Sequence, residues 1–230
     1  MNAFPSKVRI VEVGARDGLQ NEKTVSTADK VALINALSTA GLKDIEAGAF
    51  VSPKWVPQMA DSADVISALN LPDVNLSALT PNLKGAQAAH VVGIKEFAIF
   101  TAASESFCQK NINCSIEQSI ERFSEVMAFA KANNIRVRGY VSCVLGCPYE
   151  GEIDPQAVLN VSQKLLDLGC YEVSLGDTIG VGTAKKVTQL IELLLTHIDK
   201  TKLAVHFHDT YGQALTNIYA ALSLGIATVD

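Results

Sequence analysis

The sequence predicts an α/β protein built as a (β/α)8 TIM barrel that is truncated within or just after its eighth strand. Short β-branched segments alternate with longer segments in which apolar residues recur every three to four positions. Seven strand–helix pairs and the start of an eighth strand follow one another without a linker. This alternation is typical of a parallel barrel, so we expect residues 1–230 to form one barrel domain that lacks its C-terminal part. The alternative is an open doubly wound sheet, and no G-x-G-x-x-G segment follows the first strand to favour a dinucleotide-binding form of it.

The first half of the chain contains four strand–helix pairs. Ser26 opens the first helix, because Asp29 three residues later forms a capping-box pattern, and Gly41 ends it. Ser115 opens the fourth helix with Gln118 as its capping partner. The predicted strands cover residues 8–13, 42–47, 74–79 and 95–100, and the second and third helices cover residues 61–69 and 82–91.

The second half repeats the same unit. Asp154 caps the helix after the fifth strand, and Pro155 suits the first helical position. The next helix covers residues 183–196, and the helix after it ends near Gly225. The predicted strands cover residues 135–141, 171–175, 202–207 and, for the eighth, 226–230.

Composition narrows the class of protein. The chain has 230 residues, of which 48% are hydrophobic, which is enough for a sizeable core. The net charge is −5 without a block of lysine and arginine, which argues against nucleic acid as a partner. No apolar run approaches the ~20 residues that span a bilayer, and residues 1–7 lack the apolar segment of a signal peptide. The odd number of cysteines, five, favours reduced thiols, so we expect a cytoplasmic protein without a membrane partner.

Two histidines close the predicted seventh strand. His206 and His208 end the apolar segment LAVHFH, and residues two apart in a strand point to the same face. Imidazole is a common metal ligand, so the pair can aim at one ion. The simpler alternative is two polar residues at the point where a strand reaches the surface.

Other polar residues follow the same rule, because catalytic groups of such barrels lie at the C-terminal ends of strands. In a closed barrel only the eighth strand separates the first from the seventh, so we expect Asp17 to lie near the two histidines. One carboxylate and two imidazoles suit Mg²⁺, Mn²⁺, Fe²⁺ or Zn²⁺. A nearby arginine suits the negative charge of a developing enolate. The polar residues on or after the first, second, fifth and sixth strands are Arg16, Asp17, Glu46, Arg138, Tyr140 and Asp177.

Six segments resemble the 3-hydroxy-3-methylglutaryl-CoA (HMG-CoA) lyase family, which belongs to a group of TIM-barrel metal-dependent lyases and synthases. They are VEVGARDGLQNEK, IEAGAFVSPKWVPQM, QKNINCSIEQS, RGYVSCVLGCPYEG, SLGDTIGVGT and VHFHDTYGQAL. The resemblance implies cleavage of HMG-CoA to acetoacetate and acetyl-CoA, as in leucine degradation and ketone-body formation, with Mg²⁺ or Mn²⁺. It also implies an acyl-CoA thioester as the ligand and a homodimer.

The resemblance also implies residue roles. Asp17, His206 and His208 match the metal ligands, and Arg16 matches the arginine that stabilises the enolate oxygen. Ala49 stands where related sequences often carry serine. We expect either Asp177 or His206 to be the general base. Glu46 and Asp177 match acidic residues of the pocket, and Asn111, Arg138 and Tyr140 match positions near the substrate.

The chain departs from the family pattern in one respect. The family carries a catalytic cysteine and a further metal-binding asparagine after the eighth strand, and the sequence ends at Asp230 before either. Cys147 lies in a similar GCPY segment, but it follows the fifth strand, and we do not assign it that role. We therefore expect the chain alone to be weakly active or inactive.

Two alternatives remain open. One is a related acyl-CoA lyase or Claisen-type synthase, although Leu19 after Asp17-Gly18 and Asp209 directly after His208 favour the lyase. The other is a non-catalytic fragment that binds metal or acyl-CoA.

Overall fold

A computed structural model describes residues 4–230. Their eight strands form a closed parallel barrel in the order of the sequence, which confirms the predicted fold class. Among these residues no helix combines the length and the apolar character that crossing a membrane requires. The strands are β1 Arg9–Glu12, β2 Asp44–Ala49, β3 Asn75–Leu79, β4 Glu96–Ala102, β5 Arg136–Ser142, β6 Glu172–Asp177, β7 Leu203–Phe207 and β8 Thr228–Val229.

Helices separate successive strands, and most of the predicted helices form. The structure adds a helix between β4 and the predicted fourth helix, and it shortens the second helix at both ends. Single turns of 3-10 helix cover Pro57–Met59 and Lys200–Lys202, and a π-helix covers Gly14–Gly18. The α-helices are α1 Thr27–Thr39, α2 Ser62–Ser67, α3 Leu83–Val91, α4 Glu105–Ile112, α5 Ile116–Ala132, α6 Pro155–Leu168, α7 Ala184–Leu195 and α8 Ala214–Ser223.

The chain divides into two compact units, and the first comprises residues 10–99 and 123–137. Within it β2 pairs in parallel with both β1 and β3, and β3 pairs with β4. The register between β2 and β3 shifts between Glu46 and Gly48. The side chains of Ile34, Ile45 and Phe97 are fully buried, as expected for the inward faces of a helix and two strands.

The second unit comprises residues 4–9, 100–122 and 138–230. In it β6 pairs in parallel with β5 and β7, and β7 pairs with β8 through Val205 and Val229. Helix α6 packs closely on β5, because a Cβ on Gly139 would lie 3.0 Å from Cδ1 of Leu165. Asp154 accepts a hydrogen bond from the N–H of Gln156 and so caps this helix, as predicted.

Candidate active site and metal centre

The end of strand β7 places the side chains of two histidines next to each other. The Nε2 atoms of His206 and His208 lie 3.0 Å apart, and both side chains are partly buried. Two ligands in adjacent positions of an octahedral ion, at about 2.1 Å from it, are separated by about 3 Å. The spacing of the two nitrogens therefore fits a shared hexacoordinate cation.

The backbone after β6 sets the protonation of His208. Its Nδ1 lies 2.8 Å from the backbone carbonyl oxygen of Thr178, which can only accept a hydrogen bond. Nδ1 therefore donates, and in the neutral ring the lone pair lies on Nε2. That nitrogen is the one turned towards His206, so the ring is prepared to ligate through it.

Asp177 ends β6 with a side chain that is shielded from solvent. Its carboxylate accepts hydrogen bonds from the backbone N–H groups of Val181 at 3.2 Å and Gly182 at 2.8 Å. Burial raises the pKa of Asp177, although these N–H groups and the neighbouring His208 oppose the rise. A carboxylate with a raised pKa is a stronger base than one in water.

The π-helix after β1 places Arg16 against two carboxylates. Its Nε donates to Glu46, and its Nη1 donates to Oδ1 of Asp17 at 2.7 Å. Gln20 also donates to Oδ1 of Asp17, at 3.1 Å. Arg16 and Glu46 are buried, whereas Asp17 is partly exposed, so the arginine holds Asp17 at the edge of a buried charge pair.

Among residues 4–230, the side chains that could hold a metal ion are those of Asp17 in the first unit and of His206 and His208 in the second. A carboxylate oxygen with two imidazole nitrogens is a donor set that divalent cations of the magnesium and first-row transition series accept. The residues present therefore fit a divalent metal, although the ligand types do not select which one.

A profile described as HMGL-like matches residues 7–230, nearly the whole chain. The chain belongs to the HMGL-like family. It is 59% identical over 229 residues to a Pseudomonas aeruginosa protein named 3-hydroxy-3-isohexenylglutaryl-CoA/hydroxymethylglutaryl-CoA lyase, an alignment that covers 99% of this chain and 76% of that protein.

Solved structures agree with this membership. A crystal structure of hydroxymethylglutaryl-CoA lyase from Pseudomonas aeruginosa superposes with a TM-score of 0.97 at 59% identity, covering 100% of this chain and 77% of the other. A structure of an HMG-CoA lyase from Acinetobacter baumannii in complex with coenzyme A and 3-methylmalate superposes with a TM-score of 0.94 at 35% identity, covering 100% and 76%.

The predicted substrate residues of this HMGL-like chain differ in exposure. Asn111 is exposed in the last turn of α4. Tyr140 is buried, and its hydroxyl accepts a hydrogen bond from Nη1 of Arg138 at 3.0 Å. Arg138 is only 2% exposed, and its guanidinium is hydrogen-bonded to Glu172, Tyr140 and Asp230. These hydrogen bonds hold the guanidinium of Arg138 between Glu172 and Asp230.

Asp230, which the sequence analysis of this HMGL-like protein did not select, lies beside His206. Its side chain is 0% exposed, and Oδ2 lies 3.7 Å from Nδ1 of His206. Burial favours the neutral acid, but the charge of Arg138 and the contact with His206 lower the pKa of Asp230 to about 2. The strand-end rule that selected Asp177 also applies to Asp230, and it would have identified the residue.

The cysteines of this HMGL-like chain are all free and buried. Cys147 accepts a hydrogen bond from the N–H of Tyr149, and its sulfur lies 3.1 Å from the hydroxyl of Ser104. Burial acts to raise the pKa of Cys147, yet the contacts with Ser104 and backbone N–H groups lower it overall. Burial raises the pKa of Cys143 and of Cys170 to about 12.

Ala49 has no polar side chain to offer the site of this HMGL-like protein. Its backbone N–H donates to the hydroxyl of Ser62 at 3.0 Å, and this hydroxyl in turn donates to the carbonyl oxygen of Met59. These hydrogen bonds tie the end of β2 to the segment that leads into α2.

Proposed function

We propose that the protein is a metal-dependent carbon–carbon lyase that cleaves HMG-CoA to acetoacetate and acetyl-CoA. The observation that carries the proposal is the pair of Nε2 atoms of His206 and His208, 3.0 Å apart, in a chain 59% identical to a protein named as such a lyase. The pairing of Arg16 with Asp17 supports the same conclusion.

In this proposal Asp17, His206 and His208 hold a divalent cation, Mg²⁺ or Mn²⁺. The bound cation would polarise the tertiary hydroxyl of the substrate and lower its pKa. Three protein ligands leave the remaining coordination positions for substrate oxygens and water.

Asp177 is the proposed general base. It takes the proton of the C3 hydroxyl, the C3 oxygen becomes the ketone of acetoacetate, and the C2–C3 bond breaks. His206 was the other candidate, but its Nε2 is required for the cation, whereas Asp177 combines a buried carboxylate with a raised pKa. The electron pair of the broken bond passes to the thioester, whose oxygen becomes an enolate. Protonation at carbon then yields acetyl-CoA.

Arg16 is the proposed partner of the enolate oxygen. Its guanidinium already donates to Glu46 and Asp17, which fixes the plane of the group before substrate binds. A fixed cation stabilises developing negative charge without reorganising during the reaction. Glu46 would act through Arg16, and Asn111 and Tyr140 would line the acyl-CoA binding region.

The test is an assay of HMG-CoA cleavage by the purified protein. We expect acetoacetate and acetyl-CoA in equal amounts, loss of activity after metal removal with EDTA, and recovery with Mg²⁺ or Mn²⁺. We also expect Asp177→Asn to lower kcat by about 10²–10⁴-fold with little change in KM. Absence of HMG-CoA cleavage in the metal-loaded protein would refute the proposal.

The name of the Pseudomonas aeruginosa relative supports a second candidate substrate, 3-hydroxy-3-isohexenylglutaryl-CoA. This thioester keeps the hydroxyl and carboxylate of HMG-CoA and replaces the methyl group on C3 by a long apolar chain. A higher kcat/KM for it than for HMG-CoA would assign it as the preferred substrate.

We further propose a homodimer in a reducing compartment, with the cytosol as the expected one. All five cysteines are free and buried, which is usual for proteins of such compartments. Light scattering after size exclusion would test the dimer, and a monomeric mass would refute it. Fractionation of cells would test the location.

A further inference from the structure

A chain of buried charges leads to His206 within the second unit. Glu172 accepts hydrogen bonds from Arg9 and from Nε of Arg138. Arg138 then donates to Asp230 through Nη1 at 2.8 Å and Nη2 at 2.6 Å. Oδ2 of Asp230 in turn lies 3.7 Å from Nδ1 of His206. Alternating cations and anions thus continue from the start of β6 to the end of β7.

The carboxylate of Asp230 is held in one orientation. Nη1 and Nη2 of Arg138 donate hydrogen bonds to the two carboxylate oxygens of Asp230. The hydroxyl of Ser174 also donates to Oδ2, at 2.8 Å. A bidentate arginine pair fixes direction as well as position. The side chains of Arg138 and Asp230 are 2% and 0% exposed, so solvent screens this pair little.

Ligation of a cation by both histidines requires a proton acceptor beside Nδ1 of His206. The backbone carbonyl of Thr178 fixes the proton of His208 on Nδ1 and its lone pair on Nε2. In the metal-free protein, Nε2 of His206 can carry a proton and donate it to that lone pair across 3.0 Å. When both Nε2 atoms ligate a cation, the proton of His206 must instead lie on Nδ1.

Asp230 stands where that proton needs an acceptor. The distance of 3.7 Å from Nδ1 of His206 to Oδ2 is about 0.8 Å longer than an ordinary N–H···O bond. The imidazole of His206 would have to move to close this gap, because the carboxylate is fixed by Arg138 and Ser174. Carboxylates that receive the second N–H of a ligating histidine orient the ring and increase its basicity.

We infer that Asp230 is a positioning residue that places the ring proton of His206 on Nδ1 and turns Nε2 towards the bound cation. Arg138 and Glu172 act through Asp230 by fixing its carboxylate. The inference rests on the metal site of the proposed function, but it concerns cation binding and does not depend on which thioester is cleaved.

The first test is Asp230→Asn in the purified protein, with Mg²⁺ affinity measured by calorimetry. We expect Kd to rise by about 10–100-fold, as for other carboxylates behind ligating histidines. The matched control is Asp61→Asn, which also removes a carboxylate from a buried cation, because Asp61 binds Lys30. Unchanged Mg²⁺ affinity in Asp230→Asn would overturn the inference, and so would an equal loss in the control.

A second measurement uses the unmodified protein, so its result does not depend on whether Asp230→Asn folds. Nitrogen NMR of ¹⁵N-histidine in the unmodified protein reports which ring nitrogen carries the proton, with His206→Gln assigning the signal. On addition of Mg²⁺ we expect His206 to show a protonated Nδ1, with a proton shift typical of a hydrogen bond to a carboxylate. A metal-bound His206 with its proton on Nε2 would overturn the inference.

The two proposals can fail separately. Cleavage of HMG-CoA together with normal Mg²⁺ affinity in Asp230→Asn would leave the function and remove the positioning role. Weakened Mg²⁺ binding in a protein that does not cleave HMG-CoA would support the positioning role and remove the function.

Discussion

Arg16 and Glu46 form an ion pair whose two side chains are 7% and 1% exposed. The arginine donates to Glu46 through Nε and to Asp17 through Nη1, so one planar guanidinium group binds both carboxylates at the same time. A lysine ammonium is a single point charge and cannot reproduce this geometry.

Arg16→Lys is therefore expected to lower kcat for HMG-CoA cleavage by about 10²–10³-fold, because a preorganised donor for the enolate oxygen is lost. Steady-state kinetics with saturating Mg²⁺ measure the effect. Arg122→Lys, at an exposed arginine of α5, is the control and should retain normal kcat. Wild-type turnover in Arg16→Lys would show that the guanidinium geometry is not needed.

His208→Ala is expected to raise the Kd for Mg²⁺ by at least about tenfold, because a nitrogen that lies 3.0 Å from its neighbouring ligand is removed. Calorimetry on the purified protein measures the change. His197→Ala removes an exposed histidine and should bind Mg²⁺ as the unmodified protein does. An unchanged Kd in His208→Ala would contradict the assignment of the metal ligands.

Acid should weaken the fold partly through Asp61. Burial acts to raise the pKa of Asp61, but hydrogen bonds from Lys30 and Thr27 lower it overall from 3.8. A lowered folded-state pKa contributes stability above the unfolded-state value, and that contribution is lost as the pH falls through the folded-state value. In urea unfolding, Asp61→Asn should therefore be less stable near pH 6, and the difference should shrink below about pH 4. A difference that stays constant with pH would exclude this origin.

Core packing of α6 gives a stability prediction. Leu165 is 0% exposed, so Leu165→Ala should lower the free energy of unfolding by about 2–5 kcal/mol through lost burial and a residual cavity. Leu215→Ala removes the same atoms from a side chain that is 80% exposed, and it should change stability by less than about 0.5 kcal/mol. Equal effects in urea unfolding would mean that Leu165 does not pack as described.

Hydrophobic periodicity was sufficient to predict the barrel, because helices such as α6 and α7 carry a buried apolar stripe. It missed α4, since only Phe107 and Cys108 of that short helix are buried and no stripe results. It also extended the eighth strand over residues 226–230, whereas β8 covers only Thr228–Val229. Strand length depends on pairing with a neighbour, which local sequence does not report.

The arrangement of the site was predictable where it follows from a place at the end of a strand, as for the neighbouring Nε2 atoms of His206 and His208. It was not predictable where the role depends on burial and partners. Arg138 stood out as a polar residue inside a strand, but only the structure shows that Glu172 and Asp230 engage its guanidinium. The π-helix that carries Arg16 likewise has no signal in the local sequence.

The loop between β6 and α7 leaves the backbone near His208 little freedom. Gly180 has a φ of +66°, and a Cβ there would lie 2.5 Å from Oγ1 of Thr210 and 2.9 Å from the carbonyl oxygen of His208. Thr178 of the same loop accepts from the N–H of Cys143 and binds the ring of His208. The entropy of ordering His208, a proposed ligand, is therefore lost when the chain folds rather than when a cation binds. More of the interaction energy would then contribute to affinity.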